Sequence, residues 1–191
     1  MKKGTIIISV IIAALIYFIL YPAGSATGLI HPACYAYVGT VLSFVFAFIY
    51  FFVCTKMRCF GAALCLNAVV VIGAFISGEG NLAFAVIMFV LTAAAEVVRL
   101  LNGYDTIKGI KLSTIPFAYS FYAYTAHWWT NTEYSLGEAL EEMPVGYADK
   151  MSKVISNVPG LIIALILVIP IAILGAFLAG KALKKQAEGL E

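Results

Sequence analysis

Six apolar runs, at 5–21, 33–54, 60–77, 81–101, 112–130 and 159–180, divide the chain. Each is close to the roughly 20 residues a helix needs to cross the hydrocarbon core of a bilayer. The polar breaks between them carry the residues that turns and helix ends use. Pro22, Gly24, Gly28 and Pro32 surround the first exit, and Lys56 and Arg58 separate the second run from the third. Gly78-Glu79-Gly80 predicts a tight turn, and Asn102-Gly103 ends the fourth run as a helix C-cap would. The pattern predicts an all-α integral membrane domain over 1–189 with six transmembrane helices. The first run, preceded by Lys2 and Lys3, resembles a signal sequence, but it is longer than a usual signal core and further spans follow. It is therefore read as a span. Leu190-Glu191 reads as an expression-vector scar and is excluded from the domain.

Composition supports the same class. Hydrophobic residues make up 63% of the 191, and charged residues only 12%. A soluble domain carries roughly 25% charged residues. A chain of this size cannot hide so much apolar surface in one core, so lipid must cover the rest. The charges that do occur are unevenly placed. With the N-terminus in the cytoplasm, the inner side collects Lys2, Lys3, Lys56, Arg58, Arg99, Lys108, Lys111, Lys181, Lys184 and Lys185. The outer side collects Lys150 and Lys153 alone. This asymmetry predicts both termini on the cytoplasmic side. No basic stripe or motif points to nucleic acid.

The orientation leaves one sizeable outer segment, 131–158. Ser135-Leu136-Gly137-Glu138 fits a capping box, with Ala139, Leu140 and Met143 as a weak apolar face. After Pro144, Tyr147, Met151, Val154 and Ile155 recur at helical spacing. Two short helices over the outer mouth of the bundle are expected.

Polar groups within the spans are the candidates for function. Asn67 in the third run reads first as an interhelical hydrogen bond and second as a ligand contact. Glu96 and Arg99 in the fourth read first as a local ion pair and second as a contact for a cytoplasmic partner. The fifth run is the most unusual, with Tyr119, Tyr122, Tyr124, His127, Trp128 and Trp129. On a helix Tyr122, Thr125 and Trp129 share one face, and Tyr124, His127, Trp128 and Asn131 share another. An interfacial aromatic belt explains the tryptophans. It explains the deeper tyrosines less well, because each brings a hydroxyl that needs a partner when buried. Such a stack suits a flat organic ligand. Glu79 and Asn81 form either a solvated hairpin or a polar anchor for that ligand. His31 and His127, the two histidines, are either an unrelated pair at the outer face or a haem clamp. The four cysteines lack CxxC spacing and read as small packing residues, with a metal or redox site as the alternative. No protein cofactor or resident metal is expected.

Enzyme signatures are missing: the sequence holds no HExxH, GxSxG or P-loop. ATP hydrolysis is therefore not expected of this chain. A small six-span protein of this kind resembles the substrate-binding S components of energy-coupling factor (ECF) transporters. More closely, the chain resembles the Trep_Strep family of bacterial membrane proteins, also called the MptD family. The resemblance runs from Phe60 to Lys185. It rests on Phe60-Gly61, Gly78–Asn81, Thr92–Glu96, Gly103-Tyr104, the aromatic fifth run, Gly146–Asp149 and the basic stretch 181–185.

The resemblance implies a protein of the bacterial cell membrane that captures a micronutrient from outside. Its partners would be a transmembrane coupling protein (EcfT-like) and two cytoplasmic ATPases (EcfA-like). Small residues on the first span, here Ser9, Ala13 and Ala14, would form the docking surface. The ligand would sit near the outer face, against His31, Glu79, Asn81, Tyr119, Tyr122, Tyr124, His127, Trp128 and Asn131. The aromatic content favours a planar organic molecule such as a vitamin. A haem or porphyrin held by His31 and His127 is the variant, and a membrane enzyme acting on lipid is the alternative of another class.

Overall fold

The computed structural model describes residues 3–184. Lys2, Lys185 and Leu190-Glu191, used above for orientation and domain limits, lie outside the described residues. Ten α-helices follow one another among the described residues: α1 Lys3–Ala26, α2 Pro32–Lys56, α3 Ala62–Ser77, α4 Leu82–Asn102, α5 Ile107–Ala118, α6 Ser120–Thr125, α7 His127–Thr130, α8 Thr132–Glu142, α9 Tyr147–Ser156 and α10 Val158–Ala182. A 3₁₀ turn, Thr27–Leu29, joins α1 to α2. No strand occurs among the described residues.

Four helices, α1, α2, α4 and α10, are long and apolar enough to cross a membrane. α3 is shorter, with 16 apolar-rich residues. Their outward faces are as apolar as their inward ones. Ile8, Leu15 and Ile19 on α1, Ile76 on α3 and Phe89 on α4 all stand exposed. A helix apolar all round belongs in lipid.

Inside the bundle the contacts are aromatic and tightly fitted. Tyr17, Phe46, Tyr50, Phe117 and Phe121 are fully buried. Tyr50 stacks on Phe117 with ring centres 4.3 Å apart. α10 runs along α2, and Gly175 permits the approach. A Cβ there would meet Ala47 Cβ and the Phe44 carbonyl oxygen, each at 2.8 Å.

Buried polar side chains tie helices together. Tyr17 donates its hydroxyl to Asn67 Oδ1 at 2.8 Å, and Asn67 Nδ2 donates to Thr92 Oγ1 at 2.8 Å. The Thr92 hydroxyl in turn donates to the Met88 carbonyl. Asn67 thus links α1, α3 and α4, as the hydrogen-bonding reading expects. Glu96 and Arg99 correct the expected ion pair: they bond to backbone instead of to each other. Glu96 Oε1 accepts from Ala63 N, at the start of α3, at 2.8 Å. Arg99 donates to the carbonyls of Cys54, Met57, Cys59 and Tyr104. The carboxylate meets a helix N-terminus and the guanidinium meets the C-terminal end of α2, which is the favourable arrangement for both helix dipoles.

Three boundaries differ from the sequence reading. α1 passes through Pro22 and ends five residues beyond the predicted exit. Proline removes one donor, and packed neighbours make that tolerable in a membrane helix. The predicted fifth span is not one helix. It starts earlier, at Ile107, and breaks at Tyr119 and at Ala126. Pro116, which lacks an N–H, sits just before the first break, and Tyr119 N turns back to the Pro116 carbonyl at 3.4 Å. The capping box at Ser135–Glu138 does not form. α8 begins earlier, at Thr132, and the Ser135 hydroxyl donates to the His127 carbonyl instead. On the same helix Leu140, expected on the apolar face, is exposed, while Ala139 is buried. The two short helices of the 131–158 segment are present as α8 and α9. Met151, Val154 and Ile155 are buried as expected.

Candidate ligand-binding site

The site is built at the end of the bundle where α8 and α9 lie. The 3₁₀ turn, the first turn of α2, the 78–80 turn and α6–α7 converge beneath these two helices. A cavity of about 210 Å³ opens there. Its aromatic walls are Tyr35, Tyr124, Trp128 and Tyr147. Tyr35 and Trp128 stand 4.7 Å apart by ring centres, and Tyr35 and His127 6.3 Å. Met143 and Met151 supply adaptable apolar surface, and Glu79, Glu138 and Glu142 supply charge.

Local sequence explains why these groups meet. The left-handed Gly78, at φ 84°, closes α3, and Gly80 N donates to the Ala74 carbonyl. That turn lifts Glu79 into the open while Asn81 Oδ1 accepts from Phe84 N to start α4. Helical spacing along α6 and α7 puts Tyr124, His127 and Trp128 along one wall. His127 Nδ1 lies 3.0 Å from the Tyr124 carbonyl, which fixes the ring. Gly28 packs closely here, where a Cβ would lie 3.3 Å from Tyr35 Cβ and 3.4 Å from the Tyr147 hydroxyl. Burial pushes the Tyr147 phenol above its ordinary pKa, so it meets a ligand as a neutral hydroxyl.

Two further cavities adjoin the first. One of about 470 Å³ shares Glu79, His127 and Glu138 with it, and adds Asn81, Asn131 and Tyr134. The other, of about 400 Å³, shares Ser25, Glu79 and Tyr124 and reaches Tyr21. Glu79 lines all three.

Most of the predicted residues therefore gather, and three do not. Glu79, Tyr124, His127 and Trp128 line the first cavity, and Asn81 and Asn131 the second. Tyr119 and Tyr122 point to α2 and α10. The Tyr119 hydroxyl donates to the Leu165 carbonyl at 2.8 Å, and Tyr122 shares a 2.6 Å hydrogen bond with Thr40. Both hydroxyls hold helices together. His31 is exposed and caps α2, its Nδ1 accepting from Ala33 N at 3.1 Å. It lines none of these cavities, whereas His127 lines two of them. Among the described residues no group of three metal-binding side chains occurs. The cysteines are free thiols.

The sequence reading did not place Tyr35, Tyr147, Glu138 and Glu142 in the site. Tyr35 follows His31 by one helical turn, a spacing that points to the same end of the bundle. The others become visible once α8 and α9 fold back over the mouth.

A family model described as "Hypothetical bacterial integral membrane protein (Trep_Strep)" matches residues 6–188. The chain belongs to the Trep_Strep family. The match also covers residues 6–59, ahead of the stretch from Phe60 to Lys185 on which the resemblance rested. No curated protein and no solved structure matches the chain. The family description and the apolar helices together make the protein an integral membrane protein that crosses the bilayer several times. Of the expected docking residues, Ser9 is half-buried and Ala13 is buried. Ser9 and Ala13 line an apolar groove of about 420 Å³ between α1 and α2, with Ile12, Ile16, Phe48 and Phe52. Ala14 is buried beside it.

Proposed function

We propose that this Trep_Strep protein is the substrate-binding S component of an ECF-type importer and captures a small planar organic micronutrient at the outer face. The observation that carries this reading is the aromatic cavity beneath α8 and α9, walled by Tyr35, Tyr124, Trp128 and Tyr147. Closely set rings hold flat molecules, and polar groups at the rim fix their orientation. On this reading the chain crosses the membrane six times. α3 and the stacked α5–α7 complete the four long helices, and the lysine asymmetry puts both termini and the α4–α5 turn inside. The cavity then faces outward.

The chain itself supplies no ATP hydrolysis in this scheme. A coupling protein in the membrane would dock on the groove at Ser9 and Ala13, where small side chains allow close approach. Two cytoplasmic ATPases would drive release. The test is purification of the tagged full-length chain from native membranes in mild detergent. Co-purification of a membrane coupling protein and two ATPases, reduced by Ala13→Leu, is the expected result. Recovery of the chain free of any ATPase, together with ligand uptake that survives ATP depletion, would contradict the proposal.

A further inference from the structure

We infer that the ligand of this cavity carries a positive charge on or beside its ring, with Glu79, Glu138 and Glu142 as counter-charges. This rests on the ligand-binding reading above and names the class of molecule.

The walls and the rim point to the same chemistry from separate elements. Tyr35, Tyr124, Trp128 and Tyr147 present ring faces and edges around the space. Such a cage attracts cations through the ring quadrupole, most strongly when water is excluded. The three carboxylates come from two places, Glu79 from the 78–80 turn and Glu138 and Glu142 from α8. None of the described lysines or arginines lines either this cavity or the adjoining one. Lys150 and Lys153 are exposed on α9 and line neither.

The helix that carries two of the carboxylates adds a second argument. α8 ends at the cavity, and its last turn holds Glu141 and Glu142 with no basic residue. The negative end of a helix normally attracts lysine or arginine. Here acids sit on it, so negative potential accumulates at this end of α8. The same field acts on Tyr134. A hydrogen bond to Glu138, then the charge of that carboxylate, raises its phenol above the ordinary pKa. Ser25 lines the cavity too, and its buried hydroxyl has no hydrogen-bond partner. An organic cation would satisfy the rings, the carboxylates and the helix end together. An anion would sit against three carboxylates.

The test varies charge on a fixed ring. Tryptamine, tryptophol and indole-3-acetate present one ring as cation, neutral and anion; the corresponding naphthyl amine, alcohol and acid form a second set. Binding to the full-length protein in lipid nanodiscs is read by thermal shift and by titration calorimetry. The amine of at least one set is expected to bind about tenfold more tightly than its alcohol, and the acid weakest. Glu138→Gln combined with Glu142→Gln should abolish that preference while alcohol binding persists. Both positions are exposed, so the fold should survive the change. Equal binding of amine and alcohol, or preference for the acid, overturns the charge assignment and leaves the ring-binding reading standing. Failure of all six probes to bind overturns both. Stabilisation by calcium alone, undiminished by the amines, would show the carboxylates serving a metal and also overturn the proposal.

Discussion

Arg99 shows how a single residue is used in this bundle. It is fully buried, and its two terminal nitrogens hold four backbone carbonyls across the α2–α3 connection and the 103–106 turn. Removing it leaves the buried Cys54 carbonyl and three part-buried carbonyls without their donor. Arg99→Met is expected to destabilise the protein by about 3 kcal/mol. Arg99→Lys should recover little, because an ammonium lacks the planar fork. Thermal unfolding of the purified variants in one detergent checks both. Glu96→Gln, which keeps an oxygen for Ala63 N, should cost much less. The sequence pointed to this pair as polar groups worth explaining, but not to its partners. Spacing of three on a helix suggests a local pair. Only the approach of the α2–α3 turn supplies backbone groups that compete for both side chains.

At the scale of elements, membrane physics made the apolar runs legible and packing decided their ends. Runs two, three, four and six match α2, α3, α4 and α10 within a few residues, because lipid demands apolar length there. The fifth did not, since periodicity cannot report where a chain tightens around Pro116 or Ala126. The site uses the face of α6–α7 that carries Tyr124, His127 and Trp128, while Tyr122 lies on the other and bonds to Thr40 of α2. A helix wheel separated those two faces correctly, yet it could not tell which one met α10. Close helix approach is equally invisible to hydropathy. Gly175→Val is expected to cost about 2 kcal/mol or more, because Ala47 and the Phe44 carbonyl leave no room. Gly4→Val, with nothing within 4 Å, is the matched control. Asn81→Ala should cost about 1 kcal/mol through loss of the α4 cap. Loss of melting temperature in the order Gly175→Val, Asn81→Ala, Gly4→Val would bear out the packing described.

For the whole molecule, topology and ligand capture stand or fall together. Two native thiols report on orientation: Cys34 and Cys59 are exposed, one near the cavity end and one in the turn between α2 and α3. In intact cells a membrane-impermeant maleimide is expected to label Cys34, and to reach Cys59 only after permeabilisation. The reverse pattern would turn the cavity toward the cytoplasm. The most direct measurement is mass spectrometry of small molecules carried through mild-detergent purification, followed by thermal shift with each compound found. The account expects a planar organic compound that raises the melting temperature of the wild-type protein by mass action and fails to do so for Trp128→Ala. A protein that carries no such compound, and that no vitamin, nucleoside, tetrapyrrole or aromatic amine stabilises, would contradict it.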